Sequence, residues 1–595
     1  MELISLHWLS CEESDLNLVK LADMMGIPAR SVALGARDTG ADIHEISGLA
    51  DTGGRVVTSA RTLAALTSQP AGSSKLELLL SNARHLFVYG FESRPSHESL
   101  LRNLSCRSLT SVNEVDSACY RYRVSDKARD FCRQLGRMSF GPVDPGNDCT
   151  FGSNARGSHP RELISIEGRD FFVQLDRGPC NLALLASRRI ANIDLPVRRG
   201  VSPLQWFSQL VPAMMFVRHA FGAGCWHNDT PRGCFVIDDP LLKRNYGFLD
   251  YEDLLQSMKR HGFTTSVAFI PWNHSRTSAR NAGFFRSNSD KYSLCVHGCD
   301  HTKAEFGSTD PNHLRRKVDR ATTRMVLHEK RTGLRFDKVM VFPQGVFSTV
   351  ALKALKSCRY VAAVNSTAYP VDCPPDDLRL RDLLDVAVLR YQDFPLFLRH
   401  YPVDIRACAF ALFLGRPLLL VEHHEYFKQG CHDLESFVQQ IQSLDPQIVW
   451  GDLESACVNS CLKRVDDQSV IHLKIYTDRI TIANTDSERK HYLVWRQERD
   501  SSALIGLSQD GKRVAYQHAQ GAITVSLQLA PGEVAQLRLH YRQPETLPEL
   551  RWPGFIDASK VYLRRHLCEF RDDCLSKNKF LSRLIRSGRE FLGYC

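Results

Sequence analysis

The feature that most constrains this chain is an alternation running from about residue 225 to 450. Short apolar runs of strand length take turns with stretches whose apolar residues recur at helical spacing. The runs are Cys234-Phe-Val-Ile237, Thr265 to Ile270, Tyr292 to Val296, Lys338 to Phe342, Val361 to Val364 and Leu418 to Val421. Between them, Tyr251 to His261, a long stretch opening at Thr309-Asp-Pro-Asn, Thr349 to Cys358 and Leu434 to Leu444 read as helices. Pro311 sits in the first turn of its helix, where a missing N–H costs nothing. Repeated βα units of this kind make a barrel or an open parallel sheet, and the loops after the strand C-termini then carry the chemistry.

On either side the rhythm differs. Residues 1–200 alternate β-rich runs (Glu2 to Leu6, Ser31 to Leu34, His85 to Gly90) with the helical stretch Asp15 to Met25 and further segments at Ser59 to Leu66 and Lys75 to Leu80. Gly26 is a natural stop for the first helix. Glu162 to Ile166 and Phe171 to Leu175 read as a hairpin, and Gly141 to His159 as a long loop. The expectation is an α/β layered domain over 1–200 and the βα region over 225–455. After Ser469 the period becomes two, which predicts a small β-sandwich over 465–545. Residues 546–595 form a basic tail of helical pattern, with Arg564, Arg565, Arg583, Arg586 and Arg589. It reads either as a helix packed on the body with its basic face in water or as a peripheral membrane contact.

At 595 residues, two to four domains are expected. An apolar fraction of 43% with 24% charged residues excludes a disordered chain. The net charge of +10 is spread thinly, with no basic block interleaved with aromatics, so no nucleic-acid partner is expected. The N-terminal MELISLHWLSCEESDLNLV lacks the features of a secretory signal, and no run of about 18 apolar residues occurs. Nineteen scattered cysteines without a CxxC pair read as reduced thiols, so a cytoplasmic location is expected.

Two strand ends concentrate polar chemistry. Phe235-Val-Ile-Asp-Asp-Pro240 closes an apolar strand with two adjacent carboxylates, unfavourable to bury unless they face a cation or act on something. Neighbours on an extended backbone point in opposite directions, so one can bind a metal while the other works elsewhere. A turn capping the next helix explains the pair equally well. Further on, Cys295-Val-His-Gly-Cys-Asp-His-Thr302 places His297 and His301 four apart, either as metal ligands or as hydrogen-bonded structural histidines. Cys295 and Cys299 are further candidate ligands, although no second cysteine pair completes a structural zinc site.

Taken together, the strand-end Asp-Asp, the strand-end HxxxH and the βα setting resemble the polysaccharide deacetylase family (carbohydrate esterase family four, the NodB homology domain). The resemblance covers roughly residues 225 to 450. It implies a central deacetylase-type distorted (β/α) barrel, with Asp238 as general base and Asp239, His297 and His301 as ligands of a divalent metal. Zn²⁺ suits two nitrogens and one oxygen, with Co²⁺ or Ni²⁺ as alternatives. The family's Arg-x-Pro-aromatic-Gly motif aligns with Val341-Phe-Pro-Gln-Gly345. Pro343 and Gly345 match, but Val341 replaces the arginine that orients the base and Gln344 the aromatic. The fourth motif falls near Val364-Asn-Ser366 without a recognisable match. The last, a strand ending in histidine, aligns with Leu418 to His423, making His423 the candidate acid with His424 beside it.

The implied activity is removal of acetyl groups from an N-acetylated glycan or polysaccharide, with the N–H of Gln344 or Gly345 as oxyanion donor. Asp300 would orient an imidazole or its loop, and Tyr246, Trp226 and Trp272 are candidates to stack on a sugar ring. His227 and Asp229 read as a polar turn. Two alternatives stand beside this. One is a glycoside hydrolase pairing Asp238 with Glu305 or Glu422. The other is a non-catalytic polysaccharide-binding or assembly protein, kept open by the missing arginine.

Overall fold

The computed structural model describes residues 1–35, 39–51, 53–69, 71–154, 159–374, 376–542 and 555–577. They divide into two compact units, one of Met1–His227, Pro375–Leu384 and Leu462–Leu473, the other of Asn228–Pro374, Asp385–Cys461 and Lys474–Cys595.

The first unit is built on an 11-stranded mixed sheet. Its parallel part pairs Leu3–Trp8 with Ala29–Leu34 and Arg55–Ser59, and continues through His85–Tyr89 to Cys180–Leu185. The first helix runs Glu13–Met24 and ends before Gly26, which takes the left-handed backbone (φ 82°) that glycine adopts without strain. The expected hairpin forms between Arg161–Ile166 and Arg169–Arg177, its two-residue turn at Glu167 and Gly168 having positive φ at both positions. The long loop expected over 141–159 is corrected in part. Cys149–Ser153 is a strand, fixed by pairing with Leu109–Glu114, a partner that local composition does not reveal. Trp226 belongs to this unit, lying against Gly26 under the Arg464 guanidinium (5.2 Å to the ring centroid), and His227 bridges Lys463 through its backbone.

The second unit holds the βα region. Its strands are β1 (Arg232–Asp238), β2 (Thr265–Phe269), β3 (Tyr292–His297), β4 (Asp337–Val341), β5 (Ala362–Asn365), β6 (Leu396–Leu398) and β7 (Leu418–Glu422). All are parallel, in the spatial order β6-β5-β4-β3-β2-β1-β7. The sheet curls until its ends meet. His400, two residues past β6, accepts from Val421 N (3.0 Å) and donates to Leu419 O (2.8 Å) in β7, closing a distorted (β/α) barrel. The strands are buried on both faces, as parallel strands under covering helices must be.

The helices start and stop where the sequence says. Helix α1 (Tyr251–His261) is capped by Asp250, whose carboxylate accepts from Glu252 N and Asp253 N, and it ends at Gly262 (φ 73°). Helix α2 (Pro311–Thr332) is capped by Asp310 and ends at Gly333 (φ 71°). Past the barrel, Lys490–Gln497 and Ala522–Leu529 pair in one antiparallel sheet. Arg479–Ala483, Val534–Tyr541 and Leu504–Gln509 form another, so the two sheets of the expected sandwich are present. The basic tail begins as helix α3 (Phe555–Phe570), continued by a π-turn over Arg571–Leu575. Arg583, Arg586 and Arg589 lie outside the described residues, and Arg565 is buried rather than part of a solvated basic face. Among the described residues no helix is long and apolar enough to cross a membrane, and the cysteines are free thiols.

Candidate metal centre and base

Parallel strands deliver their C-terminal ends to one mouth of the barrel, which brings the two polar strand ends together. Asp238 ends β1, and Asp239 follows with φ 78°, a turn that sends its carboxylate back over the mouth. His297 ends β3, and His301 lies on the loop after it. The ligand atoms of Asp239, His297 and His301 all lie within 4.8 Å of one another. Asp239 Oδ1 stands 3.2 Å from His297 Nε2 and 3.0 Å from His301 Nε2. That oxygen is buried, yet no hydrogen bond of acceptable geometry reaches it. His297 Nδ1 lies 3.1 Å from Val341 O, so donating there leaves the Nε2 lone pair facing Asp239. Burial opposes ionisation of Asp239, but His301 and His297 outweigh it and hold the carboxyl well below the usual range. An orphaned carboxylate oxygen and two imidazole nitrogens turned on one point fit a divalent cation.

The loop that carries the histidines is organised by a residue the sequence cast in another part. Glu305 is buried and accepts from the backbone N–H groups of Cys299 (2.8 Å), Asp300 (3.1 Å) and His301 (3.2 Å), with Lys317 Nζ at 3.5 Å. Its oxygens are spent on the loop, which corrects the idea of Glu305 as a hydrolytic carboxylate. Gly298 between the histidines has φ 64°, and a Cβ there would overlap the Glu305 carboxylate and the Pro343 ring. Asp300 does not orient an imidazole. It pairs with Arg324 (2.6 Å) and Arg320 (3.8 Å) on α2, tying the loop to that helix. Cys295 and Cys299 are buried, and neither is among the residues whose ligand atoms converge.

Asp238 has an arginine after all. Arg399, immediately after β6, grips it with two parallel hydrogen bonds, Nη1 to Oδ1 at 2.9 Å and Nη2 to Oδ2 at 2.8 Å. Both side chains are almost fully buried. Arg399 is itself fixed, with Nε donating to Ser366 Oγ (3.2 Å) and its backbone N to Asn365 O (3.0 Å). Burial pushes the Asp238 carboxyl up, but Arg399 and the nearby His297 overcome this and the net shift is downward. The guanidinium absent at Val341 thus reaches Asp238 from another strand end. Val341 serves through its carbonyl, which holds His297. The available sequence signal was a guanidinium directly following the apolar run Leu396-Phe-Leu398.

His423 and His424 part company. Ile237 pairs with Glu422, so the next register position sets His423 beside Asp238, and its proximity contributes to the lowered Asp238 carboxyl. His424 is buried instead, with its ring edge-on to Tyr246, stacked on Phe248 and 3.5 Å from Asp572. Glu422 is pushed up to about 7 by burial, with a further push from Asp238. Pro343 and Gly345 form the turn after β4, and the Gly345 N–H already donates to Phe342 O (3.3 Å). Tyr246 is not a sugar platform, being buried with its hydroxyl donating to Asp572 (2.8 Å). Trp272 lines a cavity of about 320 Å³ with His274, Arg276, Arg324, Tyr562 and His566.

The chain is similar to carbohydrate deacetylases. It matches the carbohydrate deacetylase Agd3 over 90% of this chain and 98% of that one, at 10% identity and a TM-score of 0.46. A family 4 carbohydrate esterase from Streptomyces lividans matches over 38% of this chain and 94% of its own (11% identity, TM-score 0.23). The polysaccharide deacetylase Bc1974 from Bacillus cereus does so with the same coverage at 13% identity and TM-score 0.23. No protein-family model and no curated protein matches the sequence.

Proposed function

We propose that the protein is a metal-dependent hydrolase that removes acetyl groups from N-acetylated sugars of a glycan or polysaccharide. The observation that carries this reading is the adjacency of two differently furnished carboxylates at one strand end. Asp239 is turned onto two imidazoles, and Asp238 is clamped by Arg399. The first would hold a cation and the second would act as an ionised base, which is what hydrolysis of an amide by activated water requires.

A divalent cation held by Asp239, His297 and His301 would supply a Lewis acid that polarises the acetyl carbonyl and acidifies water. Zn²⁺ suits this donor set, with Co²⁺ or Ni²⁺ compatible. Asp238 takes the proton of the attacking water, and the guanidinium of Arg399 keeps the carboxylate ionised and fixes its plane. The Gln344 N–H is the remaining candidate donor to the oxyanion, since that of Gly345 is engaged. His423 passes a proton to the departing sugar amine, a role worth roughly 10²–10⁴-fold. The clamp of Arg399 on Asp238 favours this reading over the non-catalytic one, which rested on the missing motif arginine.

The test is acetate release from N-acetylhexosamine oligomers by metal-loaded protein, with Asp238→Asn as control. Acetate from the wild type and none from the variant is expected. A folded, metal-loaded wild type that releases no acetate from any N-acetylated glycan overturns the reading.

A further inference from the structure

Helix α3 is built inside out. Its inward face, with that of the π-turn after it, is polar: Arg565 and Asp572 are buried, and Glu569 pairs with Lys243 and Arg276. Asp572 accepts from Tyr246, and Asp573 accepts from the backbone of Gly247 (2.7 Å) and from Lys243 (3.3 Å). Its outward face is apolar. Leu563 is 61% exposed, Leu567 57% and Phe570 52%, with Tyr562 at 59% beside them. Positions 563, 567 and 570 follow i, i+4, i+7, so they form one continuous stripe. A helix docked by its apolar face buries such a stripe. Here ion pairs fix the helix the other way round and hold the stripe in water.

We propose that this stripe is a docking surface for an anionic membrane. Charge decides the partner. The acidic side chains Glu569, Asp572 and Asp573 of its C-terminal end are turned inward and paired, whereas Lys560 and Lys577 are exposed, as is Arg571, which also pairs with Asp572 (2.6 Å). The sequence that follows adds Lys579, Arg583, Arg586 and Arg589 against a single Glu590. A second copy of the chain would bring the same cations onto themselves across a two-fold interface, which is unfavourable. Anionic headgroups meet the cations while the acyl boundary takes Leu563, Leu567 and Phe570, the geometry of a helix lying in the interface plane.

Flotation of the full-length protein tests this. Vesicles of phosphatidylcholine with phosphatidylglycerol are compared with phosphatidylcholine alone, at low and high salt. The wild type is expected to float with the anionic vesicles only, and less at high salt. The double variant Leu567→Glu/Phe570→Glu is expected to lower partitioning by at least about a hundredfold. Lys560→Ala with Lys577→Ala lowers it by roughly fivefold per cation. Equal flotation with neutral vesicles, no flotation of the wild type, or flotation untouched by Leu567→Glu/Phe570→Glu overturns the proposal. So does a dimer that the same double variant dissociates, in a protein that does not bind vesicles.

Discussion

The sharpest consequence of the site concerns Arg399. Replacing it with methionine keeps the bulk of the aliphatic stem but leaves Asp238, only 2% exposed, without its two guanidinium hydrogen bonds. Removing one partner of a buried ion pair strands the other, at a cost of about 3–5 kcal/mol. The sign of the pH dependence follows from the carboxyl. In the wild type its folded value is depressed, so it contributes stability present above the unfolded aspartate value and lost as pH falls through the folded one. In Arg399→Met the desolvation is opposed only by His297 and His423, and the carboxyl moves up. The deficit of the variant is therefore largest near neutrality and shrinks as pH falls, first through the raised carboxyl of the folded variant and then through the depressed one of the folded wild type, the unfolded chain being common to both.

Chemical and thermal unfolding across pH read the stability. The pH profile of kcat/KM for acetate release reads the base, and its acid limb is expected to move to higher pH in Arg399→Met. Arg399→Lys keeps a charge but loses the bidentate fork, so it falls between the two. A double-mutant cycle isolates the coupling. In the Asp238→Asn background there is no charge to strand, so Arg399→Met costs less by about 2 kcal/mol or more. An equal cost in both backgrounds, or an acid limb that does not move, refutes the assignment of Arg399 as the residue that positions the base.

The remaining expectations are as follows. Metal analysis of the purified protein should give one divalent cation per chain, lost in His297→Ala and in Asp239→Asn; a well-folded wild type without stoichiometric metal contradicts the centre. His423→Ala should lower kcat by roughly 10²–10⁴-fold with unchanged melting. His424→Ala should instead lower the melting temperature, because that ring is buried among Tyr246, Phe248 and Asp572. Gly298→Ala should lose both metal and stability, since the new Cβ meets the Glu305 carboxylate and Pro343 at a positive φ. Calorimetric metal titration with parallel melting curves checks this last pair of effects.

What the sequence disclosed, and what it hid, divides along the distance between interacting parts. Helix α1 is legible to the residue because Asp250 and Gly262, its cap and its stop, are its own neighbours. The convergence of Asp239, His297 and His301 is legible because each half sits on one strand end, and parallel strands must bring such ends to one mouth. Tyr246 misleads for the opposite reason: the partner that takes its hydroxyl lies 326 residues further on. Arg399 is hidden twice over. Its strand has three residues, too few for a periodic signal, and its reach to Asp238 depends on barrel closure through His400 and Leu420. A buried carboxylate such as Asp238 needs a cation within bidentate reach, but not one from a particular strand. The ends of non-adjacent strands converge on the mouth of a barrel, so the guanidinium can come from the end of β6 instead of β4 without altering what it does. Val341 can then replace an arginine without harm to the metal half, because what it gives His297 is a backbone carbonyl, which any residue supplies.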